Sequence, residues 1–158
     1  TLKSIYYSLC YSRLCYAIPV WGNCFNIYLN RISVIQRRAV RLLHPGKSSD
    51  QIFHDFSLLK LGSVFKYFVL IKLFKIINGG HDYFLKQMLS HQANHDFPTR
   101  ISTSGKIRLP FFRTSKSQKA FLYQAISLWN SLPSLLRQCQ SVREFKRLLK
   151  EHLILTQW

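Results

Sequence analysis

Acidic residues are what this sequence has least of. Asp and Glu account for 6 of its 158 residues, against 23 Lys and Arg, so the formal charge is +17. The first acid in the chain is Asp50. A charge this large exceeds what solubility requires, and it indicates a polyanionic partner, with nucleic acid first and an anionic membrane surface second.

Pairs of neighbouring carboxylates are also absent. Two-metal nucleotide addition needs closely placed Asp or Glu side chains, but no two acids are adjacent and no aromatic-x-Asp-Asp sequence occurs. Gly-rich phosphate loops and the G-x-S-x-G motif are missing as well. We therefore assign no catalytic residue and predict that this chain alone is inactive as an enzyme.

Metal-binding and disulfide patterns are equally weak. The cysteines, none of them in a C-x-x-C pair, are Cys10, Cys15, Cys24 and Cys139. They are predicted to be reduced and buried. His91 and His95 have H-x-x-x-H spacing, but zinc needs three or four ligands and no cysteine lies close in sequence. We interpret both as polar loop residues and predict neither a metal site nor a cofactor in this chain.

Uninterrupted apolar runs and export signals are missing too. The charge-free stretch 14–30 contains Pro19 and Gly22, and the most apolar stretch, 64–77, is cut by three lysines. No signal peptide is visible. We expect an intracellular protein, in the cytoplasm and nucleus, that is not secreted and has no membrane partner. The chain begins with Thr rather than Met, which predicts a fragment of a longer polypeptide.

What the sequence does contain is a succession of helical patterns. Its 47% apolar content is sufficient for a core at this length. The patterns predict a mainly α fold, a helical bundle-like domain with a long polar loop that contains a short extended or β segment. We predict one domain over residues 1–158, with a two-helix part over 1–47, central helices over 48–89, the loop over 90–117 and C-terminal helices over 118–158.

The stretch 16–43 organises the first part of the chain. Pro19 is predicted to stop a helix over 2–17, and Asn23 or Asn26 to cap the next one. The predicted buried face of that next helix comprises Tyr28, Ile32, Ile35, Ala39, Leu42 and Leu43. Its flank carries Arg31, Arg37, Arg38 and Arg41. Because no acid lies nearby, we predict nucleic-acid contact for these arginines; the alternative is an ordinary solvated face.

The neighbouring helices are predicted to supply the core. The buried face of the first helix is predicted to comprise Leu2, Ile5, Leu9 and Tyr16. Its other tyrosines, Tyr6, Tyr7 and Tyr11, either stack on bases or pack against the next helix, and we favour packing. A short helix capped by Ser49 or Asp50 follows, then the most apolar helix over 64–77, set apart by Gly62-Ser63 and stopped at Asn78-Gly79. Another short helix is predicted over 82–89.

The last third of the chain predicts two more basic surfaces. The final helix follows a capping box at Ser141-x-x-Glu144 and buries Val142, Phe145, Leu148, Leu149 and Leu153. Its separate basic face comprises Arg143, Lys146, Arg147 and Lys150. The segment 106–113 interleaves Lys106, Arg108 and Arg113 with Phe111 and Phe112. Such cations hold phosphates and such aromatics stack on bases; we favour phosphate contact for the cations and docking on the core for both phenylalanines.

Several of these stretches together resemble the region downstream of the polymerase palm in non-LTR, LINE-like retrotransposon reverse transcriptases. The shared features are Tyr16, Trp21-Gly22, the helix end Gln36-Arg37-Arg38-Ala39-Val40-Arg41, Thr99-Arg100 and Leu128-Trp129-Asn130-x-Leu132-Pro133. The last is the most specific, and there Trp129 is predicted to anchor a helix over 116–131 that Pro133 ends. The resemblance covers nearly the whole chain.

The resemblance implies a function in gripping nucleic acid. The chain would be the C-terminal, thumb-side region of an RNA-directed DNA polymerase, bound to RNA, DNA or their hybrid and joined to the upstream polymerase domain of the same polypeptide. The catalytic aspartates and their Mg would belong to that upstream domain. Two alternatives stay open: a stand-alone basic nucleic-acid-binding module, and a decayed transposon fragment without activity.

Overall fold

The regular structure of the chain is helical. The computed structural model describes residues 2–79, 85, 87 and 106–157. Over these residues the elements are helices and no β-strand occurs, which confirms the mainly α fold. Most of the predicted helix over 82–89, and residues 90–105 of the predicted loop, lie outside the described residues.

The helices follow one another in two compact units. They are α1 (Leu2–Ile5), a π-helix (Tyr6–Tyr11), α2 (Ser12–Cys15), α3 (Ile18–Trp21), α4 (Asn26–Arg41), α5 (Ser49–Asp55), α6 (Leu61–Ile77), a 3₁₀ turn (Ser117–Lys119), α7 (Phe121–Ser131), α8 (Ser134–Arg137) and α9 (Val142–Thr156). The first unit comprises Thr1–Phe68 and Lys150–Trp158, and the second comprises Val69–Leu149. The boundaries fall within α6 and α9. That the chain is one domain stays a prediction.

The first helical stretch buries a different face from the predicted one. Tyr6 is buried among residues of α4 and α5, whereas Leu2, Ile5 and Leu9 are more than half exposed. The physical reason is the Tyr6 ring, which packs with Val40, Ile52 and Phe53 while its hydroxyl accepts from Gln36; the side of the helix that carries Leu2, Ile5 and Leu9 is left exposed. The predicted apolar face was therefore wrong, while the predicted packing of Tyr6 against the next helix is confirmed.

A break separates this stretch from α3. The upstream helix ends at Cys15, and Ala17 adopts the left-handed conformation with a φ of 49°. Pro19 lies in the first turn of α3, where its missing N–H leaves no hydrogen bond unmade. The indole nitrogen of Trp21 donates to the Tyr16 carbonyl over 2.7 Å, and this hydrogen bond links the two sides of the break. The predicted stop is confirmed, although the proline begins a new helix rather than a loop.

Helix α4 also turns a different face inward. Gln36 and Val40 are its buried residues, and Tyr28 and Ile35, which were predicted to be buried, are exposed. The Gln36 side-chain nitrogen donates to the Tyr6 hydroxyl over 3.1 Å and to the Leu59 carbonyl over 3.0 Å. Because both amide hydrogens find acceptors, a polar side chain is tolerated in the core.

The helix starts in the first unit are likewise shifted by a residue or more. The N-cap of α4 is Phe25, without a side-chain cap bond, so neither predicted asparagine caps it. Helix α5 is capped one residue before the predicted position, by Ser48, in a reciprocal box with Gln51. Ile52 and Phe53 are buried, as predicted.

The second unit is built around three aromatic rings. Phe74 of α6 stacks on Phe145 of α9 with ring centroids 4.2 Å apart, and Trp129 of α7 lies 5.9 Å from Phe145. All three are buried, which confirms the predicted inward positions of Trp129 and Phe145. Gly79, with a φ of 97°, ends α6 as predicted. The predicted separator at positions 62 and 63 was wrong, because α6 already begins at Leu61.

Candidate nucleic-acid interface

The most strongly basic surface of the first unit lies on α4. Its arginines, Arg31, Arg37, Arg38 and Arg41, are all exposed. None of them forms an ion pair with another residue of the described ranges, whereas Lys47 and Lys60 pair with Asp55 and Asp50 over 2.6 and 2.8 Å. Helix α4 contains no acid. The arginine charges therefore stay available to an external anion.

The positive field of this surface reaches a neighbouring carboxylate. A hydrogen bond from Lys60 is the main cause that lowers the pKa of Asp50; lost hydration opposes it, and the charges of Lys60 and, to the smallest extent, Arg37 lower the pKa further. Asp50 is exposed and already bound by Lys60. The charge of Arg37 therefore affects the pKa of Asp50, while the Asp50 carboxylate pairs with Lys60 rather than with an arginine of α4.

Apolar side chains lie among these arginines. Tyr28, Ile35 and Leu42, spaced by seven residues, are 55%, 59% and 75% exposed. On a helix this spacing brings them to the same side as Arg31 and Arg38. The outward surface of α4 therefore combines cationic and apolar groups, because the inward side is taken by Gln36 and Val40.

The basic residues of α9 lie beside acids of the same helix. Arg143, Lys146 and Arg147 are exposed and Lys150 is half-buried. Helix α9 also contains Glu144 and Glu151, so four cations face two acids there. Both kinds of charge affect the pKa of the Cys139 thiol. Its pKa is raised mainly by burial, Glu144 raises it further, and Arg147 lowers it. The field of α9 is therefore weaker than that of α4.

The segment 106–113 is attached to α7 through a side chain. The Asn130 side-chain oxygen accepts from the Ile107 amide over 2.9 Å, and its nitrogen donates to the Ile107 carbonyl over 2.7 Å. Residues 106–112 form no β-strand. The Asn130 side chain instead offers Ile107 the acceptor and the donor that a neighbouring strand would supply. The segment is therefore held in place without being a β-strand.

The two phenylalanines of this segment have different surroundings. Phe112 is half-buried, its ring lies 5.9 Å from Tyr123, and its carbonyl accepts from the Gln118 side chain over 3.2 Å. Phe111 is 88% exposed. The prediction that both dock on the core is confirmed for Phe112 and wrong for Phe111. The three cations of the segment are exposed; they are Lys106, Arg108 and Arg113.

The predicted site residues are divided between the two units. The α4 arginines belong to the first unit, and the segment 106–113 belongs to the second. The unit boundary in α9 falls between Arg147 and Lys150. Asn130 and Gln118, which position the segment, were missed by the sequence reasoning. Nothing local marks Asn130 as a partner of a residue 23 positions away, apart from its place beside the buried Trp129.

The metal-ligand and thiol groups of the described residues lie apart from these basic surfaces in type: they are His, Cys, Asp and Glu side chains. Among the described residues, no group of three or more His, Cys, Asp or Glu gathers closely enough to hold a metal ion. The cysteines are free and half-buried, and burial raises the pKa of the Cys15 thiol to about 11. His91 and His95 lie outside the described ranges. In the part of the chain that the structure describes, no helix is long and apolar enough to cross a membrane.

Together, the fold and these surfaces define a mainly helical, strongly basic chain with exposed cationic faces. Comparisons with protein-family models, with characterised proteins and with solved structures found no match.

Proposed function

We propose that this chain is the nucleic-acid-gripping region of an RNA-directed DNA polymerase of a non-LTR retrotransposon. The catalytic aspartates belong to a polymerase domain of the same polypeptide, and this region holds RNA, DNA or their hybrid. The polymerase assignment is supported by the Trp21-Gly22, Gln36–Arg41 and Leu128–Pro133 resemblances. The gripping role is supported by the charge and its exposure.

The observation that carries the proposal is the α4 surface. Four exposed arginines project from one helix, and within the described ranges none is neutralised by an ion pair. On a surface helix, an acid three or four residues from a basic residue can pair with it and stabilise the helix, whereas like charges at this spacing destabilise it. Helix α4 offers no such acid, so its arginines repel one another until an anion reaches them.

The mechanism is electrostatic. Each arginine that contacts a phosphate displaces condensed counterions from the polymer, and the release of these ions drives binding. Arg is suited to this contact because its planar guanidinium donates two parallel hydrogen bonds to phosphate oxygens. Contacts of this kind fix position along the backbone and carry no direct sequence information. Binding is therefore expected to be tight in dilute salt and almost independent of sequence.

The first test is binding of the purified chain to three labelled probes of equal length: an RNA–DNA hybrid, a DNA duplex and a single strand. Fluorescence anisotropy is measured as the salt concentration rises. Four phosphate contacts predict a loss of about 100-fold in duplex affinity between about 50 and about 200 mM salt. Failure to bind any probe in dilute buffer would overturn the gripping role.

The polymerase assignment has its own test. The reading frame upstream of the codon for the first residue is sequenced in the source transcript. An aromatic-x-Asp-Asp motif in the same frame supports the polymerase region. A start codon immediately upstream, with salt-sensitive binding retained, supports the stand-alone module. Stop codons in that frame support the decayed fragment.

A further inference from the structure

The exposed Phe111 ring is the largest unburied aromatic surface in the described part of the second unit. It is 88% exposed, whereas its neighbour Phe112 is packed near Tyr123. Burial of an aromatic side chain removes a large apolar area from water and is favourable, so an exposed ring forgoes this stabilisation. Two adjacent residues of the same type with opposite surroundings indicate that the exposed ring is not there to fill the core.

The backbone on both sides of Phe111 is fixed. Upstream, Ile107 is paired with the Asn130 side chain by two hydrogen bonds. Downstream, the Phe112 carbonyl accepts from Gln118, and Gln118 in turn accepts from the Gln124 side chain over 2.8 Å. Pro110, with its restricted φ, directly precedes the ring. Phe111 therefore extends from a segment whose backbone is already held by hydrogen bonds. Little backbone entropy remains to be lost when a flat ligand packs on its ring.

Cations flank the displayed ring. Lys106 and Arg113 are exposed on either side of it along the segment. Nucleic-acid bases offer aromatic faces for stacking, and the phosphates that join them offer negative charge to such cations. A base inside a duplex is already stacked on its neighbours, so the ring is accessible only to bases that are unpaired.

Resting on the proposed function, we propose that Phe111 is a stacking platform for an unpaired base, with Lys106 and Arg113 holding the adjoining phosphates. The ligand class is therefore single-stranded nucleic acid, RNA or DNA, or the unpaired end of a duplex. This gives the second unit a preference for single strands, which the arginine surface of α4 does not require.

The test compares the unaltered chain with Phe111→Leu on three probes: a labelled single strand, the same strand with abasic sites, and a blunt duplex. Loss of a base–aromatic stack is expected to weaken single-strand binding by about 5- to 150-fold. Both chains should bind the abasic strand and the duplex with similar affinity, because the phosphates remain. Phe111→Trp should retain or tighten single-strand binding.

The matched control is Leu135→Ala, which trims another exposed apolar side chain of the second unit, 77% exposed. Its binding should equal that of the unaltered chain, and circular dichroism should show the same helix content for all variants. Equal single-strand affinities of Phe111→Leu and the unaltered chain would overturn the platform alone. If the unaltered chain binds no probe in dilute salt, the platform and the proposed function both fall.

Discussion

Gly22 shows how closely residues approach at the break before α4. A Cβ placed on this buried glycine would lie 2.5 Å from a ring carbon of Phe65 and 2.6 Å from the Ile18 carbonyl oxygen. Backbone cannot move away as a flexible side chain can. We predict that Gly22→Ala lowers the free energy of unfolding by about 1–3 kcal/mol, because it overpacks the site, measured by urea denaturation.

The chain supplies a matched control in Gly62. This glycine lies inside α6, is exposed, and has nothing within 4 Å of an added Cβ. Gly62→Ala should therefore stabilise the chain by about 0.5–1 kcal/mol, through lower backbone entropy in the unfolded state. Equal effects of the two substitutions would contradict the described packing around Gly22.

Tyr6 makes stability depend on pH in the alkaline range. Burial raises the pKa of its hydroxyl to about 12 from its usual value of 10.0. The neutral form is thus favoured in the folded state, so its contribution is complete below pH 10 and is lost as the pH rises towards 12. We predict that the free energy of unfolding falls between pH 10 and 12, measured by urea denaturation.

Tyr6→Phe should reduce this alkaline loss, although it also removes an acceptor of Gln36 and so costs about 1 kcal/mol at pH 8. Some pH dependence should remain, since burial also raises the pKa of Tyr11. The control is Tyr16→Phe, which removes a hydroxyl from an 81% exposed residue; its profile should follow that of the unaltered chain. An unchanged profile in Tyr6→Phe would contradict the burial of this hydroxyl.

Local residue patterns predict stops and core aromatics in this chain better than they predict which side of a helix is buried. Gly79, Trp129 and Phe145 could be identified because turn geometry or large apolar area marks them. Gln36 could not, because a buried glutamine is stable only when distant groups accept both of its hydrogens. Its partners, Tyr6 and Leu59, lie 30 and 23 positions away.

At the scale of elements, one asparagine links the segment 106–113 to α7. We predict that Asn130→Ala lowers the free energy of unfolding by about 1–3 kcal/mol, since it leaves the Ile107 amide and carbonyl without these partners. Hydrogen exchange at the Ile107 amide should accelerate more than exchange within α6.

Ser131→Ala is the control for this change. Its hydroxyl bonds only within its own helix end, to the Leu128 carbonyl over 2.7 Å. The Ile107 amide should keep its protection in this variant. If Asn130→Ala leaves exchange at Ile107 as slow as before, the segment is held by something other than the asparagine.

The predicted elements were correct in type where an apolar face marks a helix, as in α4, α7 and α9, or where a long apolar run does, as in α6. Their boundaries and faces were less accurate for identifiable reasons. The buried Tyr6 ring determines the inward face of the first stretch, and a cap at Ser48 moves the start of α5. Residues 106–112 of the predicted extended or β segment form no β-strand, because the groups that bond Ile107 belong to a side chain, which no local pattern reveals.

At the scale of the whole molecule, net charge was the most informative property of the sequence. The excess of 23 basic over 6 acidic residues leaves most cations without an acid to pair with. It therefore predicted exposed basic faces before any contact was known. Composition could not show how the faces differ: α4 carries arginines alone, whereas α9 mixes four cations with Glu144 and Glu151.

The central claim concerns the α4 arginines, and a four-site variant isolates them. It replaces Arg31, Arg37, Arg38 and Arg41 with Gln. The control removes the same charge from exposed lysines elsewhere, namely Lys3, Lys66, Lys75 and Lys116. Circular dichroism should show that both variants keep the helix content of the unaltered chain.

The deciding measurement is the slope of log affinity for a DNA duplex against log salt concentration. If each arginine neutralises one phosphate, the slope of the four-arginine variant should be shallower than that of the unaltered chain by about 3 to 4. The lysine control should change the slope by clearly less. Equal slopes for the unaltered chain and the arginine variant would contradict the account.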